Sequence, residues 1–80
     1  MNILKIKLTE IRDVEDFVKV LVPYYDVEMD LRSGRYIVNA RSLLAIYSLD
    51  LKNPVDLVIH SEDEDLVKKI VNDISKYIAA

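Results

Sequence analysis

Tyr25-Asp26-Val27-Glu28-Met29-Asp30-Leu31-Arg32-Ser33-Gly34-Arg35-Tyr36-Ile37-Val38-Asn39-Ala40-Arg41-Ser42-Leu43-Leu44-Ala45-Ile46-Tyr47-Ser48-Leu49-Asp50-Leu51 changes its hydrophobic period midway, and that change organises the whole chain. From 25 to 32 the apolar side chains alternate, with Val27, Met29 and Leu31 on one side and Asp26, Glu28, Asp30 and Arg32 on the other. Alternation of this kind marks a half-buried strand. Ser33-Gly34 then signals a tight turn, because glycine takes positive φ without steric penalty. Residues 35–39 return as the partner strand. At Ser42 the pattern changes: a hydroxyl able to cap a helix precedes the apolar run from Leu43 to Leu49, which is read as a short helix.

The flanks repeat the same alphabet. Residues 3–8 alternate, with Leu4, Ile6 and Leu8 opposed to Lys5 and Lys7, and predict a first strand. Asp13 is read as the cap of a helix whose apolar stripe is Val14, Phe17, Val18, Leu21 and Val22, ended by Pro23. Asn53-Pro54 makes a turn before a fourth strand, Val55–His60. Ser61 and Glu64 have capping-box spacing, and residues 62–65 put four acids at the start of a last helix. Its stripe of Leu66, Val67, Ile70, Val71, Ile74, Tyr77 and Ile78 runs almost to the C-terminus.

The order is βαββαβα. Strands with one apolar and one polar face call for an α+β architecture, an antiparallel four-stranded sheet with helices on one face only. Eighty residues with 51% hydrophobic content form one domain, 1–80. No cysteine is present, so neither disulfides nor thiolate metal sites enter. No apolar run reaches the roughly 20 residues that span a bilayer. The first residues lack a signal-peptide core, so a cytoplasmic protein without membrane partners is expected. The net charge of -3, with Lys5, Lys7, Arg12 and Lys19 scattered, argues against nucleic acid. No Gly-rich phosphate loop, Cys/His cluster or Ser/His/Asp set is found, so no cofactor, no metal and no catalytic residue is expected. His60, the single histidine, is read as a surface residue.

Val38-Asn39-Ala40-Arg41-Ser42-Leu43-Leu44-Ala45-Ile46-Tyr47-Ser48-Leu49 resembles the middle of bacterial HPr, the phosphocarrier of the sugar phosphotransferase system. There a strand–turn–strand leads into V-N-x-K-S-[apolar]-[apolar]-G-x-x-S-L. Ala45 stands where the family has glycine. The resemblance implies an HPr-like open-faced sandwich with sheet order 1-4-2-3. The alternative is a ferredoxin-like module, small-ligand-binding or dimerising and unrelated to sugar phosphotransfer, with order 4-1-3-2.

The N-terminal third departs from the family. HPr carries G-[IL]-H-A-R-P-A between strand one and helix one, where the histidine takes phosphate and the arginine helps hold it. Aligned from Lys7-Leu8-Thr9, Glu15 falls at the histidine position and Phe17 at the arginine position. The resemblance therefore implies a degenerate member, a binding or regulatory protein and not a phosphocarrier or an enzyme. Ser42 matches the seryl position that an ATP-dependent kinase phosphorylates in many family members, and is the candidate regulatory site. Leu43, Leu44 and Tyr47 match the docking surface of the short middle helix. The expected partners are proteins, a serine kinase or a transcriptional regulator, with the chain itself a monomer or homodimer.

Overall fold

The computed structural model describes residues 2–79. Four strands, β1 (Asn2–Ile6), β2 (Glu28–Ser33), β3 (Tyr36–Asn39) and β4 (Val55–His60), form one antiparallel sheet ordered β1-β4-β2-β3. That is the order implied by the resemblance to HPr, and the ferredoxin-like alternative is set aside by it. Three helices, α1 (Ile11–Leu21), α2 (Leu43–Tyr47) and α3 (Glu64–Asp73), complete the βαββαβα order.

The alternation in each strand decides the layering. Ile6, Met29, Leu31, Val55, Leu57 and Ile59 face the helices and are buried against Val14, Phe17 and Leu21 of α1, Ile46 of α2, and Val67 and Ile70 of α3. The opposite face is uncovered by helices and carries Lys5, Asp56, His60, Asp30 and Arg32. Gly34 closes the β2–β3 hairpin at φ 58°, a left-handed backbone that favours glycine.

The boundaries of α1 and α3 differ from the sequence reading. α1 starts at Ile11, not after Asp13. The Asp13 carboxylate reaches back to accept from the Glu10 amide (3.1 Å), the Thr9 amide (3.1 Å) and the Thr9 hydroxyl (2.8 Å), so Asp13 closes the first turn from inside the helix. The cap of α3 is Asp63, whose carboxylate accepts from the Leu66 amide at 3.1 Å, while Ser61 instead accepts from the Asp63 amide. α3 also stops at Asp73: Ser75–Tyr77 tighten into a 3-10 turn, and Ile78 pairs with Ile6 of β1. Tyr77 still reaches the core, its ring meeting Phe17 edge-on at 5.8 Å and 89°.

Candidate functional site

The candidate site is built on the short helix α2. Asn39, at the end of β3, bends the chain: its side-chain oxygen accepts from the Arg41 amide at 2.8 Å and its carbonyl from the Ser42 amide at 3.0 Å. The Arg41 guanidinium ties this bend to the start of β2 by donating to the Val27 carbonyl at 2.8 Å. Ser42 is then the helix cap in extended geometry, with its hydroxyl accepting from the Ala45 amide at 3.4 Å. The helix is five residues long and closes with the Ser48 and Leu49 amides on the carbonyls of Ala45 and Ile46. Leu49, read as helical from the sequence, lies just beyond it because the hydrogen bonds tighten to i→i+3 there.

So short a helix has one buried line. Ile46 is 0% exposed and Leu49 is buried, whereas Leu44 is 82% exposed and Tyr47 39%. Leu43, expected beside them on the open side, is only half-exposed and packs against the core. The first residue of a helix leans back toward the preceding turn, which lies on the body of the protein. Ser42 is half-buried, and Leu44 and Tyr47 are the outward-facing pair.

The β1–α1 junction has different chemistry. Glu15 was aligned with a position ahead of helix one, but it is the fifth residue of α1 and exposed, because the Asp13 turn moves the helix start upstream. Thr9 and Glu10 stand at the junction instead. Their amides are occupied by the Asp13 carboxylate, which the Thr9 hydroxyl first, then the Glu10 and Thr9 amides, hold below the ordinary carboxylate pKa. Phe17 is fully buried in the core.

His60 lies at the far end of β4 from that junction. β1 leaves the sheet where β4 begins, Ile6 opposite Val55. His60 is therefore about 17 Å further along, at roughly 3.3 Å per residue, and on the opposite face. It is no free surface histidine: its Nε2 lies 2.8 Å from the Asp30 carboxylate, which Arg32 also contacts at 3.2 Å. The bond from His60 first, then Arg32, lowers the Asp30 pKa against the opposing effect of burial. Lys5 and Asp56 pair beside them at 2.8 Å, and Val58 is buried beneath this layer. Sequence reasoning missed the Asp30–His60 pair. The signal was present in the alternation, which puts both on the open face, but joining them requires the β2–β4 register, which sets Glu28 opposite His60 and Asp30 one step along the same face. Among the described residues no group of three His, Cys, Asp or Glu side chains could hold a metal ion. No helix among them is long and apolar enough to cross a membrane.

No protein-family model matches the chain, and no curated protein is found similar to it. Among solved structures, the chain is similar to the crystal structure of HPr-C-His from Thermoanaerobacter tengcongensis. The two share 23% sequence identity over 95% of this chain and 92% of that one, with a TM-score of 0.72. The chain has the HPr-like fold. The sheet order, the helices on one face and the near-complete overlap agree on this point.

Proposed function

We propose that this HPr-like chain is a binding or regulatory protein related to the phosphotransferase system, working by protein contact through the outer side of α2 and not as a histidine phosphocarrier. The observation that carries the proposal is the split of α2: Ile46 anchors the helix in the core while Leu44 and Tyr47 are left in water. Exposed apolar side chains grouped on so small a domain favour association. Ser42, the cap of the same helix, is the point of control. A phosphate there would add about 1.5 to 2 negative charges beside the first amides of α2 and next to Leu44, altering the docking surface. A serine kinase and a transcriptional regulator are the partner classes this reading names.

Three features of the junction oppose phosphotransfer. The junction between β1 and α1 holds no imidazole, its amides already face a carboxylate, and Phe17 is committed to the core. An incoming phosphoryl group would meet the Asp13 charge where it needs cations and free N–H groups.

Incubation with the phosphoenolpyruvate-dependent kinase that charges HPr, using labelled phosphoenolpyruvate, tests this directly. The chain should remain unlabelled, and acid-labile label on His60 would overturn the reading. With an HPr serine kinase and ATP, intact mass should rise by one phosphate in the natural chain and not in Ser42→Ala. An unshifted mass in both removes Ser42 from the proposal and leaves it a structural cap.

A further inference from the structure

The segment after α3 does more than end the helix. The Lys7 amide donates to the Tyr77 carbonyl at 2.7 Å, the Ala79 amide donates to the Lys5 carbonyl at 2.9 Å, and Ile6 lies opposite Ile78. Residues 77–79 therefore lie antiparallel along the outer edge of β1, in the position of a fifth strand. Tyr77 pins one end of this strap in the core, and the Ile78 amide donates to the Ser75 carbonyl at 3.2 Å, so Ala79 is held to β1 by its bond to Lys5.

We infer that residues 77–79 are a guard that keeps the β1 edge from pairing with the β1 edge of a second copy. An exposed row of N–H and C=O groups recruits other strands unless it is covered or blunted. Alternation sends the backbone groups of Lys5 and Lys7 outward to the strap, and sends those of Ile3 outward as well, since every second residue points the same way. The even residues face β4. Residues 77–79 thus mask the edge at Lys5 and Lys7, while the side chain of Ile3 is exposed.

A second copy is the occupant that the edge fits. Antiparallel pairing of β1 with itself about Leu4 sets Ile3 opposite Lys5 and Asn2 opposite Ile6. No like charges then face each other across the join. The same two-fold joins both sheets into one of eight strands. With the strap in place this register is blocked, because it needs the Lys5 carbonyl that Ala79 occupies. The other sheet edge offers less. β3 has four residues, and its Asn39 carbonyl is already used by the Ser42 amide. The inference rests on β1 and the strap alone, so it stands or falls separately from the α2 reading.

The test is Ala79→Pro, which removes the donor to Lys5 and leaves Tyr77 in place. Its association is compared with that of the natural chain by light scattering over a concentration series, with aromatic circular dichroism confirming that the core is intact. Dimerisation should strengthen at least tenfold, and Ile3→Pro, which removes an outward N–H and no bond to β4, should abolish the gain in the double variant. Leu44→Asp should leave the gain unchanged. If Ala79→Pro does not fold, a chain ending at Tyr77 serves the same test. A folded, strap-opened chain that associates no more than the natural one overturns the inference, and so does a gain insensitive to Ile3→Pro.

Discussion

Leu44→Asp and Ile46→Ala are two changes two residues apart on one short helix, and the structure assigns them opposite consequences. Leu44 is 82% exposed, so only about a fifth of its side chain leaves water on folding. Full burial of a leucine is worth about 1.5–3 kcal/mol, which puts the loss near 0.5 kcal/mol or below. Aspartate is a poorer helix former by about 0.5 kcal/mol. As the second residue of α2, however, it faces the helix's positive end, which returns about 0.3–1 kcal/mol. The net change should lie within about 0.5 kcal/mol of zero, as for other surface substitutions. Ile46 is fully buried, and truncation to alanine removes its transfer free energy and leaves a cavity, together about 2–5 kcal/mol. Urea unfolding followed by far-UV circular dichroism measures both, with an unchanged m-value as the sign that the denatured state is comparable. Loss of more than about 2 kcal/mol in Leu44→Asp would mean that the side chain is core, and the docking surface would go with it. A folded Leu44→Asp that loses partner capture or self-association is the outcome the α2 proposal requires.

Ser42→Ala removes a cap whose hydrogen bond is long, 3.4 Å, so its unfolding free energy should fall by about 0.5–1 kcal/mol, the low part of the usual range for caps. Asp30 is held below its ordinary pKa by His60 and then Arg32. Its contribution to stability is therefore full above the ordinary carboxylate range and is lost as pH falls through its lowered native value. Asp30→Asn should flatten that part of the acid limb in urea melts taken across pH, and an unchanged limb would refute the coupling. Tyr24, buried and donating its hydroxyl to Asp73, has its pKa pushed up to about 12. Ultraviolet titration should show a late tyrosine ionisation near pH 12. The stability this bond supplies is present below pH 10 and fades as pH rises toward 12. Tyr24→Phe should abolish the late step.

Where a feature depended on neighbours in sequence, the sequence displayed it. β4 runs over Val55–His60, just after the Asn53-Pro54 turn as read, Gly34 has the positive φ of its turn, and Ser42 caps α2. Ambiguity entered where two local solutions had equal spacing. Ser61 and Glu64 have capping-box spacing, but Asp63 offers a carboxylate one residue before the helix and takes the cap. Asp13 is a good cap by type, yet it serves better as the acceptor three residues inside a helix begun at Ile11. Ile74, Tyr77 and Ile78 fit a continuous helical stripe, but a 3-10 turn also brings Tyr77 under Ile74, and periodicity cannot separate the two. The Asp30–His60 pair spans 30 residues and depends on sheet order, so no local pattern could state it.

The candidate site divides along the same line. The α2 surface follows from a helix too short to have more than one buried line, and any reading that places Ile46 inward leaves Leu44 outside. The β1–α1 junction does not follow so simply, because counting residues along an alignment ignores where the helix starts. Moving that start to Ile11 carries Glu15 into the second turn and leaves Thr9 and Glu10 at the junction, bonded to Asp13. A carboxylate seated on those amides is a stronger argument against phosphate than the mere absence of histidine. An imidazole placed there would still meet that charge, and an arginine in place of Phe17 would bury a guanidinium beside Tyr77. The chain has the layers of the HPr-like fold and a capped middle helix, and at its β1–α1 junction the Thr9 and Glu10 amides are bonded to Asp13. Under the proposal, the surface of that helix is what remains to do the work.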